Sequence, residues 1–525
     1  MDEESETWCW QLDGGELYTV LHAVFAWLSG GELAASGAAC RAWRRAARDP
    51  LLWRRLLRRR GVPHDTLCAL RQHCPTISWR QEYVNVCAGW NLVARLPATE
   101  SGAADGSPQC GGGPLAHAAL DAAGGRLALA GEDATFSIWV RKDNEWQEEW
   151  SSDLRTRGWS GVVRSEWAQS GPKAPAAGSR LLVTGALALA DRWELLVLQR
   201  DECGAYRCMS RAGCSAGAGG CWAAAGAFLS LELCRLARRL ALTVVWLNAA
   251  TQETQSEYAG VTSPLLRVFN EDSAHLTHAL VADVPLDAMR NILSNADDSM
   301  QSLSPGSMYY LASIKTCVEA EDNVQTLVTA SHGPGGALRA WAVSARRPPP
   351  LLAAGAGSLA ARALRRRHAA GAAPPDPAEP DEAAVRAMCD PPDAECYLHS
   401  AVLGLVLNSS NRCIWASTAD GRAWCLSLPS LTRLCSLAGA SGACPGEPYY
   451  LQPAASARYV AAPGGGRGGA VRLWSAASGA PCPRPPPPDA GPALACLLPP
   501  RENELLVLAG HYVHIWRNQA TQQSE

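Results

Sequence analysis

The spacing of apolar positions changes character once along the chain. Up to Trp90 it runs at threes and fours, and Leu17, Val20, Leu21, Val24, Phe25 and Leu28 fall on one side of a predicted helix. Ser29-Gly30-Gly31 breaks that helix, Leu33 begins a shorter one, and Cys40, Arg41, Trp43 and Arg44 follow. Asp49-Pro50 opens a third, because an Asp N-cap accepts an orphan N–H and proline lacks the one that would go unpaired at the first helical position. Trp53, Leu56 and Leu57 lie on it, and Gly61 with Pro63 stops it. Helical spacing continues through Leu67, Leu70, Ile77, Trp79 and Tyr83, which predicts a connector. Three short helices in about fifty residues cannot bury all these large side chains among themselves, so part of the apolar surface is left for a partner.

From Leu115 the period becomes that of strands. Arg126–Ala130 leads through Gly131-Glu132-Asp133 to Ile138 and Trp139, and Leu181–Gly185 leads to Trp193 and Leu195–Leu198. Leu240–Leu247 carries Trp246, and Leu327–Ala330 leads to Leu338 and Trp341. Ile414–Ser417 leads through Asp420-Gly421 to Trp424, Tyr459–Ala462 to Trp474, and Leu505–Ala509 to Trp516. Each unit reads as strand, tight turn, strand, with a small residue where the first strand ends. Such units resemble the four-stranded blades of a WD-repeat propeller, and seven of them close a ring. Seven blades need only about 300 residues, so the chain must hold insertions. The clearest is Arg346–Glu395, whose polyproline and acidic pieces bury too little surface to fold alone, with a helix-forming middle at Leu351–His368. Ser101–Pro114, rich in Gly, Ser and Pro, is expected to be a loop. The expected fold is therefore all-α helices over 10–60, a helical connector over 61–91, and an all-β propeller over 92–343 and 397–518. The insertion occupies 344–396 and a tail 519–525.

Composition narrows the chemistry. Net charge is −3 over 525 residues, so nothing global points to nucleic acid or a membrane surface. The acidic start, Met1-Asp2-Glu3-Glu4, is not a signal peptide, and the longest apolar stretch, Ala223–Trp246, is interrupted by Glu232, Arg235, Arg238 and Arg239. Twenty cysteines without a secretory signal read as free thiols in a reducing compartment, so the protein is expected in the cytoplasm rather than secreted. Arg41, Arg44, Arg45, Arg48, Arg54, Arg55, Arg58, Arg59 and Arg60 make a dense positive cluster. It reads as a nucleic-acid patch or, the favoured alternative, as a solvated face or one turned to an acidic partner. Cys203, Cys208, Cys214 and Cys221 lack the paired spacing of a zinc site, and Gly464–Gly469 lacks the Lys-Ser/Thr of a phosphate loop. The acidic run Glu319-Ala320-Glu321-Asp322 reads as a solvated loop, and no nucleophile elbow is present. No catalytic residue, metal or cofactor is expected.

The order Glu16-Leu17, Phe25, Leu28, Leu33, Cys40-Arg41, Trp43-Arg44, Asp49-Pro50, Trp53 and Leu56 resembles an F-box, although Leu12 is followed by Asp13 and not by the usual proline. The resemblance implies docking onto a Skp-type adaptor held with cullin one and a RING subunit. It points to Leu17, Leu21, Phe25, Leu28, Leu33, Trp43, Pro50, Trp53 and Leu56 as the adaptor contacts. Trp139, Trp246, Trp341, Trp424, Trp474 and Trp516 would mark blade ends; of these Trp139, Trp246, Trp341, Trp474 and Trp516 lack the following Asp usual in WD repeats. Val245-Trp246-Leu247-Asn248, Glu253, Ser256-Glu257, Val268-Phe269 and Val281-Ala282-Asp283 are similar to the F-box/WD repeat-containing protein five group. Ser78-Trp79 with Glu82, Trp159, Trp167 and Gly220-Cys221-Trp222 fall in matching order. That group implies substrate reception in ubiquitin ligases, including control of centrosome duplication, with nuclear or centrosomal as well as cytoplasmic placement. It also implies a second assembly through the damaged-DNA-binding adaptor of cullin-four ligases, which reads Trp-Asp-x-Arg. Two alternatives stay open: a WD-repeat scaffold without a ligase, and a nucleic-acid-associated protein using the arginine cluster.

Overall fold

The computed structural model describes residues 14–73, 77–97, 113–143, 145–168, 179–189, 192–214, 219–224, 226–237, 240–251, 261–271, 274–285, 323–343, 382–408, 412–439, 451–464, 471–486, 491–500 and 503–519. Helices come first: α1 (Gly14–Phe25), α2 (Gly30–Ala39), α3 (Arg41–Ala47), α4 (Pro50–Arg59), α5 (His64–His73) and α6 (Trp79–Cys87). Their limits follow from side chains that satisfy orphan backbone groups. Ser29 and Glu32 form a capping box at α2, and the Cys40 thiol accepts from Trp43 N–H at α3. Asp49 accepts from Leu51 N–H ahead of Pro50, and Gly61 takes the left-handed conformation beyond α4. Gly30 is required where α2 meets α6, since a Cβ there would lie 2.1 Å from the Tyr83 ring. Leu21, Phe25, Leu33, Trp53, Leu57 and Leu67 share one core, to which the propeller contributes Ala480.

The rest is a ring of seven small antiparallel sheets. Blade 1 holds β2 (Leu115–Leu120), β3 (Arg126–Gly131), β4 (Thr135–Lys142) and β5 (Glu145–Asp153). Blade 2 holds β6 (Trp159–Trp167), β7 (Arg180–Leu187), β8 (Trp193–Arg200) and β9 (Tyr206–Cys214). Blade 3 holds β10 (Gly220–Ala224), β11 (Ala227–Ala237), β12 (Leu240–Ala249) and β13 (Val261–Asn270). Blade 4 holds β14 (Leu276–Pro285), β15 (Asn323–Ser331), β16 (Ala337–Ala342) and β17 (Ala394–Tyr397). Blade 5 holds β18 (Val402–Leu407), β19 (Cys413–Thr418), β20 (Arg422–Ser427) and β21 (Arg433–Ala438). Blade 6 has β22 (Ala454–Ala455), β23 (Tyr459–Pro463) and β24 (Val471–Ser475). Blade 7 joins β25 (Ala493–Leu497), β26 (Glu504–Ala509) and β27 (Tyr512–Asn518) to β1 (Trp90–Pro97). The first strands neighbour one another around the centre, with β25 meeting β2 to close the circle.

Each unit expected from the sequence falls on the second and third strands of a blade, Leu240–Leu247 on the third alone. Gly185 shows why a small residue ends the second strand: a Cβ there would lie 2.1 Å from the Trp159 indole. Blade 6 departs from the expected four strands. Pro481-Cys482-Pro483 follows β24, and proline cannot donate to a ladder, so among the described residues the pairing shrinks to a bridge between Trp474 and Pro481, with Cys482 N–H donating to Leu473 O.

The insertion expected over 344–396 opens between β16 and β17 of blade 4. Residues 344–381, including the helical stretch Leu351–His368, lie outside the described residues, as do 101–112, 319–322 and 465–470. The expected boundary at 396 gives way, because the last part of the insertion is folded. Helix α7 (Glu382–Ala387) seats Val385 among Leu240, Leu242, Val244 and Phe269. Asp390 then pairs both backbone groups of Arg267 on the outer strand of blade 3, each at 2.8 Å. Residues 394–397 are a blade strand.

Candidate functional site

Most of the face of α1 that sequence spacing marks as apolar turns inward, while Val20 and Val24 of that face stay exposed. Leu21, Phe25, Leu33, Trp53 and Leu56 are buried in the helical core, and Leu17, Leu28 and Trp43 are half-buried against it. Phe25 meets Trp43 edge-on at 5.4 Å, and Trp53 Nε1 donates to Ala47 O at 2.8 Å. A side chain packed in its own core has little area to give a partner, so of the expected adaptor contacts the half-buried Leu17, Leu28 and Trp43 keep more surface than the buried ones. Pro50 is exposed. Among the described residues the most exposed apolar surface of the helices is a stripe on α1, Val20 (51% exposed), Val24 (54%) and Trp27 (78%), with Leu51 (56%) on α4. Val20, Val24 and Trp27 follow at four and three, so they line up along one edge of the helix. Val20 and Val24 belong to the side that the sequence spacing marks as apolar, and only Trp27 lies off it.

The stripe is fixed to its surroundings by polar groups. Tyr18 donates to Asp49, the cap of α4, and that hydrogen bond holds the phenol above its ordinary pKa. Arg59 donates to Ala26 O at 3.1 Å, and the Arg55 guanidinium lies 5.9 Å from the Trp27 ring centre.

The helical module is joined to the propeller through α6. Glu82, buried, accepts from the Ser475 and Ser478 hydroxyls at 2.6 and 2.5 Å. Burial pushes its carboxyl above the ordinary glutamate value, against the pull of those two hydroxyls and of Asn85. Asn518 donates to the Tyr459 hydroxyl, which donates to Asn85 O. Ser475 and Asn518 end third strands and Tyr459 begins a second strand, so the module sits on that side of the ring. The opposite side carries the turns that join second to third strands, such as Glu132–Ala134 and Gly510-His511.

The central channel is lined by His117, Arg164, Glu166, His278 and Gln452 among smaller residues. Arg164 reaches across it, donating to Ala279 O at 3.1 Å and to Glu166 at 3.3 Å. Ser165 N–H donates to His117 Nδ1 at 3.2 Å. Burial, helped by Arg164, lowers His117 and His278 to about 3, so both rings are neutral at physiological pH. Trp222 Nε1 donates to Glu166 O and Trp167 Nε1 to Ala119 O, which ties blades 3, 2 and 1 together. These polar groups join blades to one another.

The tryptophans expected at blade ends all lie on third strands: Trp139, Trp246, Trp341, Trp424, Trp474 and Trp516. Trp139, Trp341, Trp474 and Trp516 are buried, whereas Trp246 and Trp424 are half-buried. Trp424 stands two residues early, and Leu426 opposite Ile414 takes the equivalent place. Cys208 and Cys214 lie on β9, Cys221 on β10 and Cys203 in the turn between β8 and β9. Among the described residues no three His, Cys, Asp or Glu side chains converge as a metal site requires.

A family profile described as F-box-like matches residues 18–59. The chain is 24% identical over 289 residues to F-box/WD repeat-containing protein 5 of Rattus norvegicus, covering 53% of this chain and 46% of that one. It is 24% identical over 294 residues to the Homo sapiens protein of the same description, covering 54% and 47%. The chain spans about half the length of the curated relatives it matches.

Proposed function

We propose that this chain, a divergent F-box/WD-repeat protein, is the substrate receptor of a Skp–cullin–F-box ubiquitin ligase. Its helical module docks a Skp-type adaptor carried by cullin one and a RING subunit, and its propeller holds the protein to be modified. The observation that carries the reading is the free stripe Val20, Val24 and Trp27 on an F-box-like helix that is anchored, through buried Glu82, to a seven-bladed ring. A rigid link fixes the distance between the two bound partners, so a substrate lysine is presented to the charged ubiquitin carrier at raised effective concentration. The chain itself binds and positions; the ligase partners supply the chemistry. Similarity to the F-box/WD repeat-containing protein five group extends the proposal to substrates that govern centrosome duplication. A cullin-four assembly is the second route, and the Trp-Asp signature it reads is missing at Trp139, Trp341, Trp474 and Trp516.

The test is co-purification of the full chain and its Trp27→Ala variant with the Skp-type adaptor, cullin one and the damaged-DNA-binding adaptor. Burying the exposed part of an indole at 25 cal/mol per Å² is worth at most about 4 kcal/mol, roughly a thousandfold in Kd. The wild type should therefore bring down the adaptor and cullin one, and the variant should lose both while keeping the wild-type circular dichroism. An adaptor retained equally by both chains would remove the assignment. A scaffold without a ligase captures neither cullin.

A further inference from the structure

The arginines of the two modules are used differently. In the propeller Arg141 and Arg517 close on Glu504, Arg211 on Glu194, Arg339 on Glu395 and Arg200 on Glu149, each at 2.9 Å or less. In the helical module nine arginines lie between Arg41 and Arg60, and among the described residues none of them forms an ion pair. Residues 14–60 carry only Glu16, Glu32 and Asp49 against them, a formal charge of +6 in a chain of net −3. Glu32 is engaged by the capping box of α2, and Asp49 by Leu51 N–H and Tyr18. While the thirteen residues ahead of Gly14 carry Asp2, Glu3, Glu4, Glu6 and Asp13 in sequence, the positive charge is thus uncompensated among the described residues of 14–60. It also borders the free stripe, with Arg55 and Arg59 beside Trp27 and Ala26, and the charge of Arg45 felt at Tyr18.

We infer that the surface covering this stripe is acidic: a protein offering an apolar pocket for the Trp27 indole, rimmed by Asp and Glu carboxylates. The inference rests on the receptor reading only in taking the Skp-type adaptor as that protein. Arginine forks pair carboxylate and phosphate alike. Here the centre of the surface is Val20, Val24, Trp27 and Leu51, and an aliphatic stripe has little to gain from a phosphate backbone. Exposed arginines around an apolar centre act mainly on encounter, drawing an acidic partner in and fixing its orientation.

Arg45, Arg48 and Arg58 are exposed, so charge reversal at these three leaves the core intact. Association and dissociation of the full chain with purified Skp-type adaptor are measured for the wild type and for Arg45→Glu/Arg48→Glu/Arg58→Glu. The expected result is an association rate that falls about tenfold between low and moderately high salt, and about tenfold in the variant, with dissociation changed less than about twofold. Association that ignores both salt and charge reversal overturns the inference while leaving the receptor reading intact. Polyglutamate and a short DNA duplex serve as further probes. A chain that ignores the adaptor but binds polyglutamate, losing it in the variant, refutes the receptor reading and keeps the acidic surface. Duplex bound more tightly than adaptor or polyglutamate, with Trp27→Ala neutral, overturns the inference in favour of nucleic acid.

Discussion

Replacing Glu82 tests whether the helical module and the ring behave as one body. Its Oε1 accepts from two buried hydroxyls, and each serine oxygen is already committed as an acceptor, Ser475 from Ala477 N–H and Ser478 from Ala480 N–H. Glu82→Leu leaves both hydroxyl protons without an acceptor. At about 1–3 kcal/mol for each unsatisfied donor, less the relief of not burying a carboxyl, the cost is about 2–4 kcal/mol. Glu82→Gln keeps the accepting oxygen and should hold the junction. The pH dependence separates the two roles of the carboxyl. Folded Glu82 keeps its proton to higher pH than its ordinary value of 4.5. The unfolded chain therefore binds fewer protons within that window, and stability falls as pH rises through it. The glutamine variant lacks this loss, so its stability relative to wild type should grow from about pH 4.5 upward and then level off. Urea unfolding followed by tryptophan fluorescence gives the difference, and limited proteolysis reports release of the module. A glutamine variant weakened by more than about 2 kcal/mol at every pH would show that an ionised carboxylate holds the junction, and the reasoning would fail.

Phe25→Ala should cost about 3–5 kcal/mol and expose the α1–α2 region to protease while the ring stays folded; wild-type resistance would contradict its place in the core. Glu504→Ala leaves Arg141 of blade 1 and Arg517 of blade 7 facing a site without its carboxylate. The expected loss is about 3–5 kcal/mol, read as faster amide exchange in β1 and β27, and unchanged protection there would refute the clamp.

The second and third strands of every blade but blade 3, where only the third was read, were legible because both faces are buried, so Leu181–Val183, Leu195–Leu198 and Leu505–Ala509 read as continuous apolar runs. Outer strands were not. β5, Glu145–Asp153, is largely polar because one side meets water, and in sequence it looks like a loop. β17 was hidden inside a stretch whose proline and acidic composition promised no structure; its pairing with β16 is a tertiary event. On α1 the periodicity identified the helix but not the destination of its stripe. Leu17, Leu21, Phe25 and Leu28 mark the face that is apolar, and the structure spends that face on the helical core. Val20 and Val24, which the spacing puts on that same side, stay outside together with Trp27, and the split becomes visible only in the structure.

Blade 7 takes its outer strand from Trp90–Pro97 and its other three from residues beyond Ala493. During synthesis the helices are complete before the ring begins, and β1 then waits for a partner made some four hundred residues later. At ribosomal rates of about 5–20 residues per second that interval is about 20–80 s. Throughout it a nascent chain displays its arginine-rich helices without a closed ring behind them, and a message cut short before Tyr512 would leave it so permanently. If the proposed receptor role holds, such a product would hold an adaptor and present nothing to it, becoming a competitor of intact chains.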